Sequence, residues 1–96
     1  MLYLVAYDIR NARRLNAVAK FCLRYGVRVG LSVFEMRFDR RIEFEYFLEE
    51  LSARMDTDID LVRIYRICEN CLRERRILGH STGESRVLVS GEAFIF

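Results

Sequence analysis

Met1-Leu2-Tyr3-Leu4-Val5-Ala6-Tyr7-Asp8-Ile9-Arg10 opens the chain, a run of apolar and β-favouring side chains that stops at a carboxylate. The apolar stretch 2–7 suffices for a buried strand and is far too short for a membrane span or the apolar region of a secretory signal. The run predicts a central strand. Asp8 then stands where that strand leaves the core, with Arg10, Asn11, Arg13 and Arg14 crowding the loop behind it. A charged group that ends a buried strand is either a solvated terminus or a site held on rigid scaffolding. The functional reading turns on that choice.

Working outward, 96 residues make one domain, 1–96, large enough for a real core yet small enough to leave apolar surface that association would cover. Hydrophobic residues at 52% and charged residues at 31% fit a globular protein and exclude a disordered one. A net charge of +2 is too mild to announce a nucleic-acid binder by itself, but 15 of the 16 basic residues are Arg, the side chain suited to bidentate phosphate contacts. Eight of them lie in the first 41 residues, whereas the acids concentrate between residues 43 and 60. Three cysteines and no secretory signal predict a reducing, cytoplasmic setting.

The pattern after the first strand predicts a helix over 12–25, with Leu15, Val18, Cys22 and Tyr25 on one face and Gly26 as its stop. Residues 27–38 are β-rich, and Gly30 is a bend that makes them one or two strands. Asp39 is placed to cap a second helix over 40–55, whose Phe44, Phe47, Leu48, Leu51 and Met55 form an apolar stripe opposite Glu43, Glu45, Glu49 and Glu50. Another strand is expected over 60–68. The order is that of an α+β, ferredoxin-like split βαβ sandwich (β-α-β-β-α-β), with both helices on one sheet face. Tyr3, Val5, Tyr7, Leu61, Tyr65 and Ile67 exceed what two helices can hide, which predicts a homodimer. Residues 1–68 form the core. Residues 69–96 read as a polar loop with a helical turn, then an extra C-terminal strand, from Val87 on, that pairs with a sheet edge of the partner subunit.

Tyr7-Asp8-Ile9, Arg13-Arg14, Val18-Ala19-Lys20, Tyr25-Gly26, Arg28-Val29, Ser32-Val33-Phe34-Glu35 and the run Asp60 to Ile67, in that order, closely resemble the CRISPR-associated Cas2 family. The resemblance covers about residues 1–68. It implies a small ferredoxin-like homodimer that works with the Cas1 integrase in spacer acquisition. It also implies a metal-dependent endonuclease acting on RNA or double-stranded DNA with Mg²⁺ or Mn²⁺. By that resemblance Asp8 is the metal-binding and catalytic aspartate, Tyr7 its neighbour, and Arg28, Ser32 and Phe34 belong to the active-site or nucleic-acid region. The pattern departs at Asn11, where Asp is usual, and at Leu15, where a basic residue is common.

One carboxylate per chain is a sparse ligand set for Mg²⁺, and a two-fold dimer would bring Asp8 and its symmetry mate to one ion. Arg10, Arg13, Arg14 and Arg28, with Arg24, suit phosphates along one face, and Arg73, Arg75 and Arg76 extend the set; the competing reading is a solvated face offset by glutamates. Phe34 reads as core or interface before base stacking. Cys68-Glu69-Asn70-Cys71 is a lone C-x-x-C with too few companions for structural zinc and no thioredoxin-like context, so packing and loop roles are expected; His80 reads as an exposed loop residue. Three alternatives stand beside the nuclease. They are a catalytically silent DNA-binding adaptor, a VapD-like ribonuclease toxin and, outside nucleic acids, a regulatory ligand-binding dimer.

Overall fold

The computed structural model describes residues 1–79. The elements run β1 (Leu2–Asp8), α1 (Ala12–Cys22), β2 (Gly26–Gly30), β3 (Val33–Arg37), α2 (Arg41–Ser52), β4 (Leu61–Ile67) and a short α3 (Glu69–Arg73). The strands make one antiparallel sheet in the order β2-β3-β1-β4, so the opening strand is central, as its apolar run predicts. This is the expected α+β ferredoxin-like arrangement. The extra C-terminal strand and His80 lie outside the described residues.

Gly30 does divide the β-rich stretch. β2 and β3 form a hairpin with a register shift between Arg28 and Gly30, and Leu31-Ser32 make the turn. Ser32 therefore precedes β3. Gly26 opens β2 and does not end α1, which stops at Cys22 because Arg24 and Tyr25 donate their N–H groups three residues back, to Phe21 and Cys22, in a tightened last turn. Glycine is needed at 26 for another reason. A Cβ there would run into the Glu35 carbonyl and stand 2.6 Å from Met36 Cγ.

Helix starts follow side-chain acceptors. Asn11 caps α1 by accepting the Arg14 N–H at 3.0 Å, a structural use for the residue at that position. The cap position of α2 is Arg40 and not Asp39, because the Glu43 carboxylate reaches back to the Arg40 N–H at 3.2 Å. The α2 stripe is as predicted, with Phe44, Phe47 and Leu51 buried and Leu48 and Met55 packed beside them. On α1 the buried residues are Val18, Phe21 and Cys22. Phe21, absent from the predicted stripe, stacks on Phe47 with ring centroids 5.5 Å apart.

Strand parity corrects one expectation. Tyr3, Val5 and Tyr7 are buried in the helix-side core, and Tyr3 stacks on Phe44 of α2 at 4.0 Å. The β1–β4 register sets Leu4 opposite Tyr65 and Asp8 opposite Leu61, so Leu61 and Tyr65 belong to the other face and stay exposed. The chain after β4 turns toward that second face. Arg37 pairs with Glu69 at 2.9 Å, and Arg75 pairs with the buried Glu35 at 2.7 Å. Two pairs and the buried Leu72 thus seat α3 and its successor on part of the sheet surface that the two long helices leave open.

Candidate metal and nucleic-acid site

β1 carries Asp8 to the edge of the core and releases it to solvent, its side chain 65% exposed. Its ion-pair partner among the described residues is Arg10 at 3.8 Å, a loose contact between exposed groups. Asp8 lies on the rim of two hollows. One, about 400 Å³, is lined on the helix side by Tyr7, Leu15, Asn16, Arg28 and Ser32 among others. The second, about 260 Å³, lies toward β4 and includes Leu61 and Arg63. The carboxylate is thus open to solvent between two hollows.

The helix-side hollow has a braced wall. Arg28 donates to the Leu31 carbonyl at 2.8 Å and more weakly to the Tyr7 hydroxyl at 3.4 Å, and its guanidinium lies 5.5 Å from the centre of the Phe34 ring. The Tyr7 N–H donates to the Ser32 carbonyl at 3.0 Å, tying the hairpin turn to the end of β1. Burial pushes the Tyr7 hydroxyl above the ordinary phenol range, and the neighbouring Arg28 offsets part of that rise. Tyr7 therefore stays a neutral phenol near neutral pH and can donate or accept a hydrogen bond there. Phe34 is fully buried and is the floor under Arg28, with no surface left for base stacking.

The structure brings Asp8, Tyr7, Arg28 and Ser32 to one hollow, whose lining includes neither Arg10 nor Arg13, both exposed. Arg14 is held elsewhere. Its guanidinium grips the buried Asp60 carboxylate through two bonds of 2.7 and 3.2 Å, and Asp60 also accepts the Asp56 N–H at 2.8 Å. The Arg14 guanidinium, seconded by that backbone N–H, holds the Asp60 carboxyl below the usual range. Arg63 was not singled out as a site residue by sequence reasoning. It borders the same hollow as Asp8 only because β4 runs antiparallel beside β1, with Arg63 paired to Ala6, a register that no local pattern encodes.

Among the described residues no group of three or more His, Cys, Asp or Glu converges on one point, so a protein cage for a metal is absent from them. Asp8 fits the other way of holding Mg²⁺ or Mn²⁺, in which one or two carboxylates anchor an ion that keeps most of its waters. No helix among the described residues is long and apolar enough to cross a membrane.

The sequence and the fold are both similar to those of known proteins. The family model described as CRISPR associated protein Cas2 matches residues 1–75. A CRISPR-associated endonuclease Cas2 from Halalkalibacterium halodurans is 39% identical over 75 residues, covering 73% of this chain and 77% of its own length. A CRISPR-associated endoribonuclease Cas2 from Chloroflexus aurantiacus is 35% identical over 80 residues, covering 82% and 85%. The crystal structure of Streptococcus pyogenes Cas2 superposes with a TM-score of 0.74 at 36% identity, covering 82% of this chain and all of that one. With a fold and a sequence that both agree, the chain belongs to the CRISPR-associated Cas2 family.

Proposed function

We propose that this chain is a nucleic-acid-binding homodimer that takes part in spacer acquisition beside the Cas1 integrase, and that it is a metal-dependent endonuclease on RNA or double-stranded DNA. The observation that carries the reading is Asp8: a solvent-open carboxylate on the rigid central strand, bordered by Arg28, Tyr7 and Ser32 on one side and Arg63 on the other. The described relatives named endonuclease and endoribonuclease support the reaction class.

In this reading two Asp8 carboxylates, one from each subunit, would hold Mg²⁺ or Mn²⁺ by charge attraction, and such an ion would polarise a phosphoryl oxygen and acidify water. The chain's own residues do the rest. Arg63 and Arg28 offer positive charge to the phosphates that flank the scissile bond, and Arg10 and Arg13 extend it along the backbone. The Tyr7 hydroxyl, kept neutral, orients a phosphate oxygen or a water by hydrogen bonding. Arg14 contributes to shape instead of to binding, because Asp60 already occupies its fork.

The test uses RNA and duplex DNA substrates with Mg²⁺, with Mn²⁺ and with chelator, on the parent chain and on Asp8→Asn. The parent should cleave only with a divalent ion, and Asp8→Asn should lower the rate by at least about a hundredfold while binding at fixed salt holds or strengthens, since a negative charge is gone. Parent binding without cleavage under every metal condition would remove the nuclease half of the reading and leave the adaptor half.

A further inference from the structure

The sequence singles out Cys68-x-x-Cys71, and nothing in the nuclease or adaptor reading uses it. In the fold these residues sit where β4 hands over to α3, both exposed, with sulfurs 3.3 Å apart. Cys68 Sγ accepts the Cys71 N–H at 3.4 Å and is in hydrogen-bond contact with Cys71 Sγ at 3.3 Å. Both interactions favour negative charge on Cys68, holding its thiol below the ordinary range, and the same neighbour pushes the Cys71 thiol up. The chain thus presents two thiols in contact and open to solvent, one of them biased toward the thiolate. Cys22 is the opposite case, fully buried with its thiol pushed up to about 12.

We infer that Cys68 and Cys71 form a reversible dithiol–disulfide pair that exchanges with low-molecular-weight disulfides and so fixes the seat of the segment after β4 on the open sheet face. The steps balance as an ordinary two-step exchange. The Cys68 thiolate attacks one sulfur of a small disulfide, the S–S bond breaks, and one small thiolate leaves and takes up a proton. The Cys71 thiol then gives up its proton and attacks the Cys68 sulfur, expelling the second small thiol. Two protein thiols are oxidised and one small-molecule disulfide is reduced to two thiols. Only a short approach of the sulfurs, from 3.3 Å to a bond of about 2 Å, is needed to close the ring.

The position gives the bond a consequence. The first turn of α3 carries Glu69, paired to Arg37, and leads to the buried Leu72 and to Arg75 on Glu35. A covalent link from residue 68 to 71 holds that turn closed, so the oxidised chain keeps the 69–75 segment seated more firmly over Glu35. This inference stands apart from what Asp8 does.

The test equilibrates the whole protein in mixtures of reduced and oxidised glutathione, quenches by alkylation and reads the tryptic peptide between Arg66 and Arg73. That peptide should pass from doubly alkylated to a form lighter by two hydrogens than the free dithiol, while Cys22 stays a free thiol that alkylates once the chain is denatured. Cys71→Ser should stop at a glutathione adduct on Cys68, and Cys68→Ser should consume glutathione disulfide at least about tenfold more slowly than Cys71→Ser. Amide exchange over 69–75 should slow in the oxidised chain. A peptide that stays doubly alkylated, or that carries two glutathiones without an internal bond, overturns the pair. Equal exchange in the two forms overturns its link to the segment.

Discussion

Two aspartate–arginine pairs meet at the same end of the sheet and have opposite fates. Asp60, just before β4, is buried and locked by Arg14 through two bonds and by the Asp56 N–H. Asp8, at the end of β1 and opposite Leu61 in register, is open to solvent and lies 3.8 Å from an exposed Arg10. Composition cannot separate them, since both are carboxylates beside guanidinium groups. Geometry does. Burial and its three hydrogen bonds make Asp60 a structural tie, whereas Asp8 is exposed and has among the described residues only the loose contact with Arg10. Of the arginines just after β1, the one with an ideal fork is therefore the one least able to bind phosphate.

The widest expected gap between the two pairs is in stability. Asp60→Ala leaves Arg14 and the Asp56 N–H without their acceptor and should lower the melting temperature by many degrees, read by circular dichroism. The Asp60 carboxyl is depressed in the folded chain, so its contribution is present above the ordinary carboxylate range and is lost as pH falls through the lowered value. The difference in melting temperature between parent and Asp60→Ala should accordingly shrink in strong acid. A gap unchanged down to that range would show that lost packing, and not the ion pair, causes the effect.

Next comes the tie of the post-β4 segment. Arg75→Ala strands the buried Glu35 carboxylate and should cost about 2 kcal/mol, on the order of 10 °C in melting temperature. The expected dimer is sharpened by Tyr65→Glu. With Tyr65 and Leu61 exposed on the sheet face away from the helices, a charge at 65 should weaken self-association about tenfold or more in light scattering across concentration. Dimerisation as strong as the parent's would place the interface elsewhere. The smallest effect is Arg10→Ala, which should leave the melting temperature unchanged and lower the salt slope of nucleic-acid binding by about one.

How much of this was legible in the sequence follows from which interactions are local. The central strand and the α2 stripe were readable because a short apolar run and a helical period are written in neighbouring residues. The face that Tyr3, Val5 and Tyr7 occupy was not, because parity against β4 depends on a register between strands far apart in sequence. For the same reason Arg13-Arg14 reads as one basic pair, although Asp60, 46 residues away, takes one member and leaves the other to solvent. Asp8 was legible as the charged residue that ends the first strand, the family resemblance gave it, Arg28 and Ser32 their expected roles, and the hollow they share is visible only once the hairpin turn is tied to β1. Cys68 and Cys71 were legible as a motif. Their sulfur contact was not, because it needs α3 to begin at Cys68.

The central claim is that Asp8 is held for chemistry and Asp60 for the fold. One side-by-side measurement tests it: melting temperature and Mg²⁺- or Mn²⁺-dependent cleavage recorded on the same preparations of parent, Asp8→Asn and Asp60→Asn. On this proposal Asp8→Asn should melt with the parent and lose cleavage, while Asp60→Asn should melt well below it. An Asp8→Asn chain that cleaves at the parental rate, or that loses cleavage only because it has lost its fold, would contradict it.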